Sequence, residues 1–166
     1  PTRADLRIAV IGLGRWGKLL MRVFTERADV TLACSRSDPV NVKWLADHHP
    51  GVRHTFDTSE VMADPTIDVG VIATTVESHA ALALSALEAG KHVFVEKPLC
   101  LTESELEAVE RALGEASDPL LTVGFNRRFA PHTAKIKALI ECTSAPKAFI
   151  LTVNAGALPG DHWLRS

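Results

Sequence analysis

The residues at positions 12–17 constrain this chain more than any others: Gly12-Leu13-Gly14-Arg15-Trp16-Gly17, spaced G-x-G-x-x-G. Before them, Leu6 to Ile11 is a short apolar run without strict polar alternation, the pattern of a strand covered on both faces. After them, Arg15 to Arg27 places Trp16, Leu19, Leu20, Val23 and Phe24 on one helical stripe. In that setting each glycine has its own task. Gly12 permits the tight turn, Gly14 lets the backbone approach a pyrophosphate, and Gly17 lets helix and strand pack closely. The free N–H groups and the positive dipole end of the helix then face the phosphates. The plainer reading is a glycine turn without a ligand.

The same alternation continues almost to the end. Val30 to Cys34 reads as a second strand, and Val42 to His49 as a helix ended by Pro50 and Gly51. Val52 to Phe56 is a third strand, followed by a helical turn near Glu60. Val69 to Thr74 is a fourth, and Glu77 to Ala89 a helix stopped by Gly90. His92 to Val95 is a fifth. Thr102 and Glu105 have capping-box spacing before a helix whose buried stripe is Leu106, Val109, Leu113 and Ala116. Leu120 to Phe125 is a sixth strand, and Pro131 to Glu141 a last helix. Parallel strands need crossovers, so this is an α/β fold: a doubly wound, mostly parallel Rossmann sheet in the order 3-2-1-4-5-6. Lys147 to Asn154 reads as one more strand, the start of a second sheet. The expected organisation is a dinucleotide-binding domain over 1–130, with a linking helix and the beginning of a truncated substrate domain over 131–166.

Several functions are disfavoured. The spelling G-x-x-x-x-G-K over 12–18 approaches a P-loop, but Leu19 stands where magnesium needs a hydroxyl. A methyltransferase would carry an acid after the second strand, where this chain has Cys34-Ser35-Arg36-Ser37. A net charge of −2 with both signs dispersed gives little attraction for nucleic acid or anionic lipid. The apolar runs are too short to span a bilayer, and with no basic-then-apolar run visible before the first strand no secretory signal is expected. Cys34, Cys100 and Cys142 are odd in number and widely spaced, which fits reduced thiols in a cytoplasm and no metal motif. The first residue is Pro1, so processing or excision from a longer protein is expected. His48 and His49 suit a helix end rather than a metal; Trp16, Trp44 and Phe24 read as helix packing.

In such sheets ligands sit beyond the carboxyl ends of the strands. After the second strand, Ser35 can donate to a ribose 2′-phosphate and Arg36 can pair with it, which points to NADP over NAD. Asp38 blurs this if the loop turns early, and a solvated Arg36 is the plainer alternative. The fourth strand ends at Thr74-Thr75, the fifth at Glu96-Lys97-Pro98 and the sixth at Asn126-Arg127-Arg128. These ends converge on the nicotinamide position.

Gly90-Lys91-His92-Val93 with Glu96-Lys97-Pro98 resembles the signature of the glucose–fructose oxidoreductase and inositol dehydrogenase (Gfo/Idh/MocA) family. So does Val123-Gly124-Phe125-Asn126-Arg127-Arg128-Phe129, with Pro131 after it. The likeness runs from the glycine loop to the end. Val153-Asn154-Ala155-Gly156 through Asp161-His162-Trp163 is similar to the way into the family's second domain, as in a subgroup fused behind a zinc-alcohol-dehydrogenase-like region.

The resemblance implies hydride transfer between NAD(P) and a carbon bearing a hydroxyl, on a sugar or cyclitol. Lys97 would approach the substrate hydroxyl and assist proton transfer, a role that partial desolvation favours. Glu96 would place the nicotinamide ribose or Lys97; a simple ion pair is the alternative. His79 has two readings, a cofactor contact or packing at a helix start. Thr74, Thr75, Asn126 and Arg127 complete the cofactor side.

The family's catalytic His, with an Asp four residues before it, falls beyond Ser166, and the chain has no Tyr. By itself it is therefore expected to bind cofactor and turn over slowly or not at all. Asp161-His162-Trp163 is either a substrate-side loop or a loose chain end. A dinucleotide-binding or sensing module without chemistry is the other function class. Oligomer contacts, which in the family use the second domain's sheet, are left open.

Overall fold

Each buried apolar run becomes a strand of one parallel sheet. The computed structural model describes residues 6–36, 38–115, 118–150, 152 and 156–157. Its strands are β1 (Arg7–Ile11), β2 (Asp29–Cys34), β3 (Arg53–Thr55), β4 (Val69–Ile72), β5 (His92–Val95) and β6 (Leu121–Val123). They pair in parallel in the order β3-β2-β1-β4-β5-β6, as the sequence predicts. The helices are α1 (Arg15–Thr25), α2 (Pro39–His48), α3 (Thr58–Ala63), α4 (His79–Glu88), α5 (Glu103–Glu115) and α6 (Pro131–Ile140). Short 3-10 turns lie at Val76–Ser78 and Asn126–Phe129. Two compact units result, Pro1–Asn126 and Arg127–Ser166.

Alternate residues of the central strands feed two cores. Ala9, Ile11, Leu32 and Ile72 lie with Val61 of α3, Ala83 and Leu87 of α4, and Val109 of α5. Ile8, Val10, Ala33 and Val71 lie with Met21 of α1 and Leu45 of α2. Phe24 packs on this second core and meets Phe94 edge-on, with ring centroids 5.7 Å apart. The capping box forms: the Glu105 carboxylate accepts from the Thr102 amide at 3.1 Å, and Thr102 Oγ1 accepts from the Glu105 amide at 3.3 Å.

Several local expectations need correction. The buried stripe of α1 is Gly17, Leu20, Met21 and Phe24, whereas Trp16, Leu19 and Val23 are exposed. Gly17 must touch the strand loop, and this sets the phase of the whole helix. In α5, Leu106 is exposed while Val109, Ala112 and Leu113 pack on the core, because the buried face is centred on Val109. Ala116 lies outside the described residues. α2 begins at Pro39, earlier than its apolar pattern indicates, since Asp38 caps it by accepting from the Val40 amide at 3.0 Å. No strand forms over 147–150, and those residues have no ladder partner among the described residues. Most of the expected strand's remainder, Val153-Asn154-Ala155 and Asp161-His162-Trp163 lie outside the described residues, as does Ser37. Among the described residues no helix is long and apolar enough to cross a membrane.

At the end of the sheet opposite the glycine loop, Lys91 is buried. Its ammonium donates to the carbonyls of Asp64, at 2.7 Å, and Ile67, at 3.0 Å, fastening the α3–β4 connection to β5. Burial pushes this lysine below its ordinary pKa, and the Asp64 and Asp68 carboxylates pull it partly back. Lys91→Met should leave both carbonyls without their charged donor. We expect a loss of about 2–4 kcal/mol in urea unfolding, with the parallel sheet retained by circular dichroism.

Candidate functional site

The strand ends and the glycine loop enclose a cleft of about 680 Å³. Its floor is Ile11 to Trp16, one side carries Cys34, Ser35 and Arg36, and the other carries Thr74, Thr75, His79, Glu96 and Lys97. Of the charged side chains in the lining, Arg15, Arg36 and Lys97 are cationic and Glu96 is acidic. A chain of net charge −2 thus presents a cationic cleft, which suits an anionic ligand.

The three glycines differ in what excludes a side chain. Gly12 has φ +99°, and a Cβ there would stand 2.5 Å from the Ala73 carbonyl oxygen. At Gly17 a Cβ would overlap the Gly12 carbonyl. Both are therefore needed for the protein's own packing. Gly14 has φ −70°, open to any residue, and a Cβ there meets nothing within 4 Å. The space beside Gly14 is kept clear within the cleft, at the N-cap of α1, whose first turn carries no side-chain cap. Free backbone N–H groups and a clear approach are what a pyrophosphate requires.

After β2, Ser35 is buried: its hydroxyl donates to the Arg36 carbonyl at 3.2 Å and lies 2.9 Å from His54 Nε2. Burial pushes His54 below its ordinary pKa. Asp38, which clouds the reading of this turn, is the cap of α2 and not part of the lining. Arg36 is exposed and lines the cleft without an ion pair among the described residues. Cys34 lines the floor, its thiol pushed up to about 11 by burial, with the Asp57 and Glu60 carboxylates adding to the effect.

On the opposite wall, Thr74 Oγ1 lies 2.7 Å from Ser78 Oγ, which donates to the Thr75 carbonyl at 2.8 Å. His79 is buried, with Nδ1 2.8 Å from the Pro98 carbonyl oxygen and Nε2 3.2 Å from that of Thr74. Glu96 lies against Gly124, where an added Cβ would come within 3.2 Å of Oε1. The Lys97–Pro98 peptide is cis. Lys97 itself is exposed, so the described residues do not supply the desolvation expected for it.

Gly12 to Trp16, Ser35, Arg36, Thr74, Thr75, His79, Glu96 and Lys97 are thus brought to one cleft. Gly17 lies beneath it; Asn126 ends the first unit outside the lining, and Arg127 opens the second. Trp16 is half exposed at the cleft rather than packed in the helix interface. Trp44 does pack, stacked on His48 at 4.9 Å. Asn41, Phe56 and Thr58 also line the cleft and escaped sequence reasoning. The rule that ligands lie beyond strand ends, applied to β3, would have found Phe56 and Thr58. Among the described residues no group of three or more His, Cys, Asp or Glu could hold a metal.

Residues 6–125 match the Gfo/Idh/MocA oxidoreductase family, described by its NAD-binding Rossmann fold. Inositol 2-dehydrogenase of Mycolicibacterium smegmatis is 36% identical over 151 residues, covering 89% of this chain and 44% of that protein. The scyllo-inositol 2-dehydrogenase (NAD(+)) of Bacillus subtilis is 33% identical, covering 95% and 47%. The crystal structure of scyllo-inositol dehydrogenase from Lactobacillus casei, with bound NAD(H) and scyllo-inositol, superposes with a TM-score of 0.76. It is 28% identical, over 83% of this chain and 41% of that one. The chain spans less than half the length of these curated relatives.

The glycine geometry separates folding from binding. Gly12→Ala and Gly17→Ala should each lower unfolding free energy by about 1–3 kcal/mol in urea titrations, because backbone must move. Gly14→Ala should cost no more than about 1 kcal/mol, the range of an N-cap change. Equal losses at all three positions would contradict the assignment.

Proposed function

This chain belongs to the Gfo/Idh/MocA oxidoreductase family, and from that premise we propose that its cleft holds NADP and serves hydride transfer with a cyclitol- or sugar-like alcohol. The observation that carries the NADP reading is Arg36 just after β2, without an ion pair among the described residues, with Asp38 committed to capping α2. A carboxylate there would accept from a ribose 2′-hydroxyl and repel a 2′-phosphate; a guanidinium does the reverse. The buried Ser35 hydroxyl, engaged by His54 and Arg36, shapes the turn more than it reaches the ligand.

The remaining roles follow from position. Gly14 and the first-turn amides of α1 would hold the pyrophosphate, and Thr74 and Thr75 would flank the nicotinamide half. When bound, the dinucleotide supplies the hydride donor or acceptor. Lys97 would meet the substrate hydroxyl and hold or release its proton, with Glu96 braced against Gly124 to keep the segment in place. We read 1–130 as the dinucleotide domain and 131–166 as a linking helix and the start of the substrate side; inositol dehydrogenases among the relatives support the cyclitol class. A module that binds without chemistry is favoured by one observation, the exposure of Lys97.

Calorimetric titration should show NADPH binding about 10- to 150-fold tighter than NADH, and Arg36→Ala should remove most of that preference. Equal affinities in the unaltered chain would end the NADP reading. Lys97→Ala should leave NADPH affinity within about twofold while lowering hydride transfer by the whole protein ~10²- to 10⁴-fold, followed by nicotinamide absorbance across a cyclitol and sugar panel. Unchanged turnover would leave the binding module as the better account.

A further inference from the structure

His79 is the first residue of α4 and is 2% exposed, although it borders the cleft. Both of its polar atoms face carbonyl oxygens of the protein: Pro98 at 2.8 Å from Nδ1 and Thr74 at 3.2 Å from Nε2. A carbonyl oxygen has no proton to give, so either contact is a hydrogen bond only where the facing ring nitrogen carries the proton. One tautomer serves Pro98, the other serves Thr74, and a ring carrying both protons serves both. In every case the imidazole fills the gap between two segments that leave different strands. It has no polar atom left for a ligand, which argues against a direct hydrogen bond to the cofactor.

The two segments are not held alike. Thr74 belongs to a turn fixed by several bonds: Thr74 Oγ1 to Ser78 Oγ at 2.7 Å, Ser78 Oγ to the Thr75 carbonyl at 2.8 Å, and the Ser78 amide to the same carbonyl at 3.0 Å. That turn runs directly into α4, whose inner face is buried in the core. On the other side, Glu96 is the last residue held by the ladder, its amide donating to the Ile72 carbonyl at 2.9 Å. Lys97 follows it, exposed and without an ion pair among the described residues. The Pro98 carbonyl is one residue beyond. The turn is anchored through α4, and on the other side the tie falls on Lys97 and Pro98, between the last ladder residue and Leu99, which packs on the core.

We infer that His79 is a positioning residue: it ties the Lys97-Pro98 segment to the turn after β4 and so fixes where Lys97 stands at the cleft's far end. This rests on the dinucleotide reading above. If it holds, His79 acts on the nicotinamide half of the ligand alone, because the adenosine and pyrophosphate halves are met by β2, β3 and the glycine loop. A residue that merely stabilises the fold would weaken both halves together.

The test compares NADH with ADP-ribose, which lacks only the nicotinamide, on the full chain and two variants. His79→Phe fills the space and removes both donors; His79→Gln keeps an amide able to donate twice. In His79→Phe the ADP-ribose Kd should stay within about twofold of the unaltered chain. The NADH Kd should rise about tenfold, the effect of one lost hydrogen bond of ordinary strength. His79→Gln should recover most of the NADH affinity. Hydrogen exchange on the ligand-free chains should quicken in His79→Phe at the amides of Thr75, Leu99 and Cys100 but not at Gly12 to Gly17. An unchanged ratio of the two Kd values in His79→Phe overturns the inference; should that variant not fold, His79→Asn, whose shorter amide cannot reach both carbonyls, is read the same way, a raised ratio with quickened exchange supporting it and a proportional loss of both ligands overturning it. Failure of the unaltered chain to bind NADPH as well as these two ligands would refute the dinucleotide reading and this inference with it, while exchange would still report whether the tie exists.

Discussion

The close approach of α1 to the end of β1 is the constraint on which the rest of this structure depends. Gly17 lies so near the Gly12 carbonyl that no side chain fits between them. This contact fixes the distance from helix to sheet and the rotation of the helix about its axis. The rotation turns Leu20, Met21 and Phe24 toward Ile8, Val10 and Val71. The same contact sets the start of α1 at the cleft and leaves the space beside Gly14 clear. A core and a ligand cradle are thus determined together, by one pair of glycines.

The sequence made much of this legible. Parallel strands buried on both faces have few polar positions, so the runs ending at Ile11, Cys34 and Val95 stand out. The capping box of α5 and Gly90 after α4, at φ +73°, are written in local chemistry and were readable for that reason. What escaped was set by tertiary contact. By apolar spacing alone Trp16, Leu19 and Val23 belong to the buried face of α1, because hydrophobicity carries no information on which glycine touches the strand. Asp38 could be a ribose ligand or a helix cap by type alone; only the start of α2 at Pro39 decides it.

The site shows a similar division. Its residue types were readable wherever a strand end carried polar letters: Arg36, Thr74, Thr75, Glu96 and Lys97 all reach the cleft. Phe56 is apolar and so looked like the close of a strand, yet it lines the same cavity. His79 lay between two readings because a buried imidazole at a helix start is compatible with either; the two carbonyls facing it are 24 positions apart in the chain and invisible to local inspection. The apolar strand expected from Lys147 onward had the right composition and no neighbour to pair with among the described residues.

Cys34 brings a thiol to the floor of a cleft proposed for redox chemistry. With its pKa raised to about 11, roughly one molecule in ten thousand carries the thiolate at neutral pH. Peroxides and electrophiles attack thiolates, so this sulfur is shielded by its own protonation as well as by burial. Its place in the fold is that of a compact apolar side chain, whereas the Cys142 thiol is exposed.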